Sequence, residues 1–192
     1  MSGQHTYRVR RNAFETERTW MVDASGLSWS ATDKSGHFDF KDITSIRLEW
    51  TGSRFDHARY ACHVRRFNGW TETIVSTHYD GPAQFADRAE GYRAFVAALV
   101  RQTAAANPSC AFHAGSGILH YAFNVAFMAA SLALLALVMF TIGIPLHWLI
   151  LTKLLVIAFL LPLALRWVKK NRPRRFEASA IPADVLPAIA AA

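Results

Sequence analysis

Between Gln102 and Thr152 the chain carries no Asp, Glu, Lys or Arg. An ordinary soluble domain is about one-quarter charged, so this stretch cannot serve as its surface. Residues 1–101 are of the ordinary kind, with 14 Lys+Arg and 12 Asp+Glu. The chain therefore joins a soluble-type part to a part suited to lipid. A hydrophobic share of 52% excludes disorder, and two cysteines in 192 residues exclude a disulfide scaffold.

Within the uncharged run, residues 118–142 are almost wholly apolar. A bilayer crossing needs about 20 helical residues. Gly143-Ile144-Pro145 then punctuates the helix. A second apolar stretch, 146–168, contains only Lys153 and, near its end, Arg166 as charges. One unbroken helix of this length would measure about 75 Å, against a hydrocarbon core of about 30 Å. The pattern predicts a transmembrane hairpin over 118–168, with spans 118–142 and 146–168. A linker is expected at 107–117 and a basic tail at 169–192. Lys153 has no acidic partner in either span, which favours a snorkelling side chain over an intramembrane functional charge.

Arg166, Lys169, Lys170, Arg172, Arg174 and Arg175 crowd the end of the second span, whereas the 143–148 turn is uncharged. The positive-inside rule then puts the tail in the cytoplasm and the turn outside. Two crossings return residues 1–106 to the cytoplasm. No apolar segment precedes them, so no signal peptide is expected. The expected location is the inner (plasma) membrane, crossed twice, with both termini cytoplasmic. Cys62 and Cys110 are expected as free thiols. Six basic residues beside a span point to anionic lipid headgroups rather than nucleic acid. In the first span Ala122, Ala126, Ala129, Ala133 and Ala136 recur in steps of 4, 3, 4 and 3. That seam of small side chains is expected to pack against Leu149, Val156, Leu160 and Leu163 of the second span.

Strand signals fill residues 6–78. Tyr7 and Val9 alternate with Arg8 and Arg10, and Trp20 and Val22 with Thr19 and Met21. Phe38 and Phe40 alternate with Asp39, and Ile46, Leu48 and Trp50 with Arg47 and Glu49. Turns recur about every 8–12 residues, as in a small sheet or barrel. Phe67-Asn68-Gly69-Trp70 predicts a hairpin with a two-residue turn. That register sets Phe67 opposite Trp70, Arg65 opposite Glu72 and His63 opposite Ile74. Tyr92, Phe95, Val96, Leu99 and Val100 form a helical stripe that Asn107-Pro108 ends.

About seven antiparallel strands followed by one helix is the layout of pleckstrin-homology-like (PH-like) domains. Ser25-Gly26-Leu27, Phe38-Asp39-Phe40 and Asp42-Ile43 with Ile46 and Leu48 resemble bacterial PH-like membrane proteins, in which such a domain is joined to a transmembrane hairpin. The resemblance covers residues ~6–105. It implies an α+β chain whose cytoplasmic domain is a PH-like β sandwich or barrel. The phosphoinositide-binding activity of PH domains does not carry over. Glu15 and Glu17 occupy the first hairpin loop, Asn12–Glu17, and repel phosphate.

No catalytic signature emerges, and an enzyme is not expected. The eight histidines show no ligand spacing. His113 and His120, seven residues apart, suit interfacial packing. Cys62 and Cys110 lack a base and an orienting group. No cofactor motif is present. The expectation is a non-enzymatic binding or scaffolding module, an accessory subunit with a protein partner or as a homo-oligomer. Its candidate partner surface is Arg65, Arg66, Phe67 and Trp70. The competing reading is a small oligomeric transporter or a membrane enzyme component.

Overall fold

The computed structural model describes residues 4–54, 57–82, 84–141, 158 and 161–188. The chain forms two compact units. One unites Met1–Gly115 with Arg174–Ala192, and the other is Ser116–Pro173.

The first unit is α+β with mixed sheets. Strands β1 (His5–Val9), β2 (Arg18–Val22), β3 (Leu27–Ser30) and β4 (Ser35–Phe38) pair antiparallel in chain order. Their alternation buries Tyr7, Val9, Trp20, Val22, Leu27 and Phe38. The turn into β3 is held by Asp23, whose Oδ1 accepts the Ser25 and Gly26 N–H groups at 2.8 and 3.2 Å. A Cβ at Gly26 would lie 2.2 Å from the Phe38 carbonyl oxygen, so only glycine lets β4 approach. Phe40, expected to continue the strand alternation, instead starts a short 3-10 turn and is buried there.

Strands β5 (Ile43–Arg54), β6 (His57–Arg66) and β7 (Thr71–Val75) form a second antiparallel meander. The Asn68-Gly69 hairpin is present with a different loop. Gly69 N–H donates to the Arg66 carbonyl (3.0 Å) and Arg66 N–H to the Trp70 carbonyl (2.9 Å). Gly69 has φ +85°. The loop is therefore three residues, closed by a left-handed glycine. Arg65 faces Thr71, His63 faces Thr73 and Cys62 faces Ile74, one residue from the expected register. Cys62, Val64 and Ile74 are all fully buried. A two-residue turn would have set inward Ile74 opposite outward His63.

Strands β8 (Thr77–Gly81) and β9 (Gln84–Asp87) make a small separate hairpin that turns at Gly81-Pro82. Helix α1 (Ala89–Ala106) buries all five residues of its predicted stripe. Tyr7 meets it from β1, 6.0 Å from Tyr92 and 5.7 Å from Phe95 between ring centroids. The Tyr7 hydroxyl donates to the Val75 carbonyl (2.7 Å) and joins the meanders.

The expected linker contains β10 (Ala111–Ala114), which pairs parallel with β5. The expected basic tail also folds. In β11 (Arg174–Arg175) it pairs antiparallel with β10. Phe176 then meets Phe112 at 5.8 Å, Arg174 pairs with Asp184, and Arg93 donates to the Pro187 carbonyl (2.7 Å). Val185 and Leu186 are buried. Two apolar side chains and an otherwise open strand edge draw the segment in. With β8–β11 added, the strands outnumber the seven expected.

In the second unit α2 (Ile118–Thr141) makes a helix of the first apolar stretch. It contains the one helix stretch among the described residues long and apolar enough to cross a bilayer, Ile118–Leu135, none of it buried. Residues 161–171 are helical. Tyr121 stacks on Trp167 at 6.0 Å, and Ser116 N–H donates to the Asn171 carbonyl (3.1 Å). The half-buried side of α2 carries Tyr121, Asn124, Val125, Met128, Leu132 and Leu135, whereas Ala122, Ala126, Ala129 and Ala133 are exposed. Long side chains such as Tyr121 reach a neighbouring helix where a methyl does not. The side chain of Ala136, the 143–148 turn, Lys153, Leu149, Val156 and Leu160 lie outside the described residues.

Candidate functional site

The expected partner surface separates into two kinds of residue. Phe67 and Trp70 project from the β6–β7 loop, 69% and 72% exposed. Arg65 is exposed opposite Thr71. Arg66 turns back instead, its guanidinium 4.6 Å from the Phe38 ring centre and 3.9 Å from an Asp42 carboxylate oxygen. The loop therefore presents two aromatic rings with one arginine beside them.

The first loop neutralises itself. Both oxygens of Glu15 accept from Arg11, at 2.5 and 2.7 Å. This hydrogen bonding holds the Glu15 carboxyl below its usual range. Arg10 donates to the Glu15 and Ala13 carbonyls, both at 2.9 Å. Arg10 and Arg11, which flank this loop, are thus bound to the loop itself.

The β5–β6–β7 meander carries a polar chain that sequence reading missed. On the face opposite the core, His63 Nε2 lies 3.0 Å from Glu49 Oε1 and Nδ1 lies 2.9 Å from Thr73 Oγ1. With the carboxylate accepting from Nε2–H, Nδ1 accepts the Thr73 hydroxyl proton. The order resembles a nucleophile relay. It runs from β5 across β6 to β7, the strand at the end of the sheet order. Thr73 and Glu49 are separated by 24 positions, so only the strand register could have revealed the chain.

Both cysteines are free and buried. Burial pushes the Cys62 thiol up to about 12 and that of Cys110 to about 11. Both are protonated at neutral pH and poor nucleophiles. Among the described residues no three His, Cys, Asp or Glu side chains gather as metal ligands. His113 and His120 belong to different units.

The predicted basic residues also divide. Arg166, Lys169 and Arg172 are exposed in the second unit, and Lys170 is half-buried. Arg174 and Arg175 belong to β11 of the first unit. Arg175 lies opposite His113 on β10, and His113 lies opposite Arg47 on β5. His113 is held below its usual range, first by desolvation and then by the charges of Arg47 and Arg175.

The chain matches no protein-family model and no curated protein.

Proposed function

We propose that the chain is a non-enzymatic, two-pass protein of the inner (plasma) membrane. It holds a PH-like binding or scaffolding domain at the cytoplasmic face as an accessory subunit of a membrane complex. The observation that carries this reading is the split of the first unit. Its residues up to Gly115 and from Arg174 onward form one sheet through β10 and β11. Both ends of the inserted segment must therefore start and finish on one side of any membrane it enters. If α2 crosses, the chain must cross back before Arg174. The 32 residues from 142 to 173 exceed the roughly 20 needed for a second span. Connectivity thus supports a hairpin independently of hydropathy.

The β1–β4 meander, the β5–β7 meander and α1, in that order, support a PH-like domain, with β8–β11 as additions to that layout. The high thiol pKa values support a binding role over cysteine chemistry. Anionic headgroups are the lipid partners this reading implies, and Phe67, Trp70 and Arg65 the surface for a protein partner.

Purification of the tagged full chain in mild detergent tests the function. A stoichiometric second protein, lost on Trp70→Ala, is the expected result. Self-association alone would favour the oligomeric transporter reading, consistent with the exposed alanines of α2.

A further inference from the structure

We propose that Arg47, His113 and Arg175, side by side on the five-stranded sheet, bind the phosphate of an anionic lipid headgroup. The proposal rests on the membrane-anchored reading above.

The three residues come from β5, β10 and β11 and share one cross-strand row. Adjacent strands lie about 4.8 Å apart, so the backbones of the three residues span about 10 Å. Like charges directly opposite one another destabilise a sheet. Here the charges acting on His113 are the two guanidiniums, and both oppose its protonation. An anion seated on the row would reverse that opposition. Two guanidiniums offer the forked donors that suit phosphate, and a protonated imidazole adds a third N–H group. Arg47 Nη1 also lies 3.4 Å from the Gly115 carbonyl oxygen, and His63 on β6 stands opposite Arg47. Glu49 on β5 is held by His63, and Arg174 on β11 by Asp184.

Chain connectivity selects lipid as the source of the phosphate. Ala114 ends β10 four residues before α2 begins at Ile118, and β11 begins three residues after the 161–171 helix ends. Fully extended, those links reach about 14 Å and 11 Å. A sheet edge tied so closely to two membrane-entering segments stays within reach of the headgroup layer, which is itself several ångströms deep. Free phosphate would not call for such a position.

The test is a pH titration of the ¹⁵N-labelled histidines in the full chain by NMR, with His113 assigned through His113→Gln. The protein is held in nanodiscs of phosphatidylcholine alone or with phosphatidylglycerol added. The expected result is a rise of about one pH unit or more in the His113 midpoint in the anionic discs, abolished in the Arg47→Gln/Arg175→Gln protein. An unchanged signal from His78, which lies on β8 in another sheet and accepts from Arg10 N–H, reports that this variant is folded. If it does not fold, Arg47→Lys, which keeps the charge and loses the fork, is expected to reduce the rise. Equal midpoints in the two lipids would overturn the proposal. So would a rise that survives the substitutions, which would be a general surface potential. The same rise with millimolar inorganic phosphate in phosphatidylcholine discs would overturn the lipid source. A chain that stays monomeric in buffer without lipid or detergent would instead sink the anchored reading, and this proposal with it.

Discussion

Asn107 ends α1 and fastens it to the β4–β5 corner. Its Nδ2 group lies 3.2, 3.3 and 3.0 Å from the carbonyl oxygens of Phe40, Lys41 and Ile43, while Oδ1 accepts from Ser109 N–H and Oγ. Asn107→Ala should cost about 1–3 kcal/mol by leaving these carbonyls unmet. Asn107→Asp should cost more, because it turns an acceptor toward three acceptors. Thermal melting of both variants in detergent, followed by tryptophan fluorescence, checks the order. Asn-Pro is legible in sequence as a helix stop, but the clasp is not, since its partners lie 64 to 67 positions away. His113 gives a second expectation at this scale. Its folded pKa is below its unfolded value near 6.5, so the unfolded chain binds the proton more readily. Its contribution is complete above about pH 6.5 and is lost as pH falls through the folded value. In neutral lipid or detergent, wild type should lose more melting temperature than His113→Gln between pH 7 and 5. Equal losses would show that His113 titrates alike in both states.

Among the elements, α1 was the most legible, because a stripe at helical period admits one buried side. Leu99 is fully buried within it, and Leu99→Ala should cost about 2–5 kcal/mol as a large-to-small core change. An unchanged melting point would mean that the helix is not docked. The β6–β7 hairpin was legible in place but not in register, since Asn-Gly serves both two- and three-residue loops. The inward set of Cys62, Val64 and Ile74 is what selects between them. Two glycines then separate two costs. Gly69 has φ +85° with nothing within 4 Å of an added Cβ, so Gly69→Ala should cost only about 1–2 kcal/mol of backbone strain. Gly26→Ala must also displace the Phe38 carbonyl and should cost more, read as a larger drop in melting temperature than Gly69→Ala. The contact between α2 and the 161–171 helix was not legible for a related reason. Small-residue spacing marks where helices can approach, whereas Tyr121 and Trp167 mark where these two do.

For the whole molecule, the division between charged and uncharged halves was plain in the sequence. The return of residues 174–188 into the first unit was not. A two-residue strand has too little pattern to read, and six nearby basic residues look like a solvated tail. The Arg47–His113–Arg175 row was hidden for the same reason, because its members stand 66 and 62 positions apart. Topology is the prediction at this scale. Single cysteines near the two termini should both be shielded from membrane-impermeant reagents in intact cells and labelled after lysis. Labelling of either in intact cells would refute a cytoplasmic domain.

The closing of β11 onto β10 sets an order of events during synthesis. The ribosome delivers β1 to β10 first, then the apolar segment, and only afterwards the strand that covers the edge of β10. Until then the nascent domain has an open sheet edge, and the site that Val185 and Leu186 fill is unfilled. Completion of the domain must therefore wait for the apolar segment to leave the ribosome. A chain stalled or cut after Gly115 keeps every residue of α1 and yet remains an unfinished domain. In this protein the first unit cannot finish folding before the apolar segment has been made, because the last piece of its sheet is encoded beyond that segment.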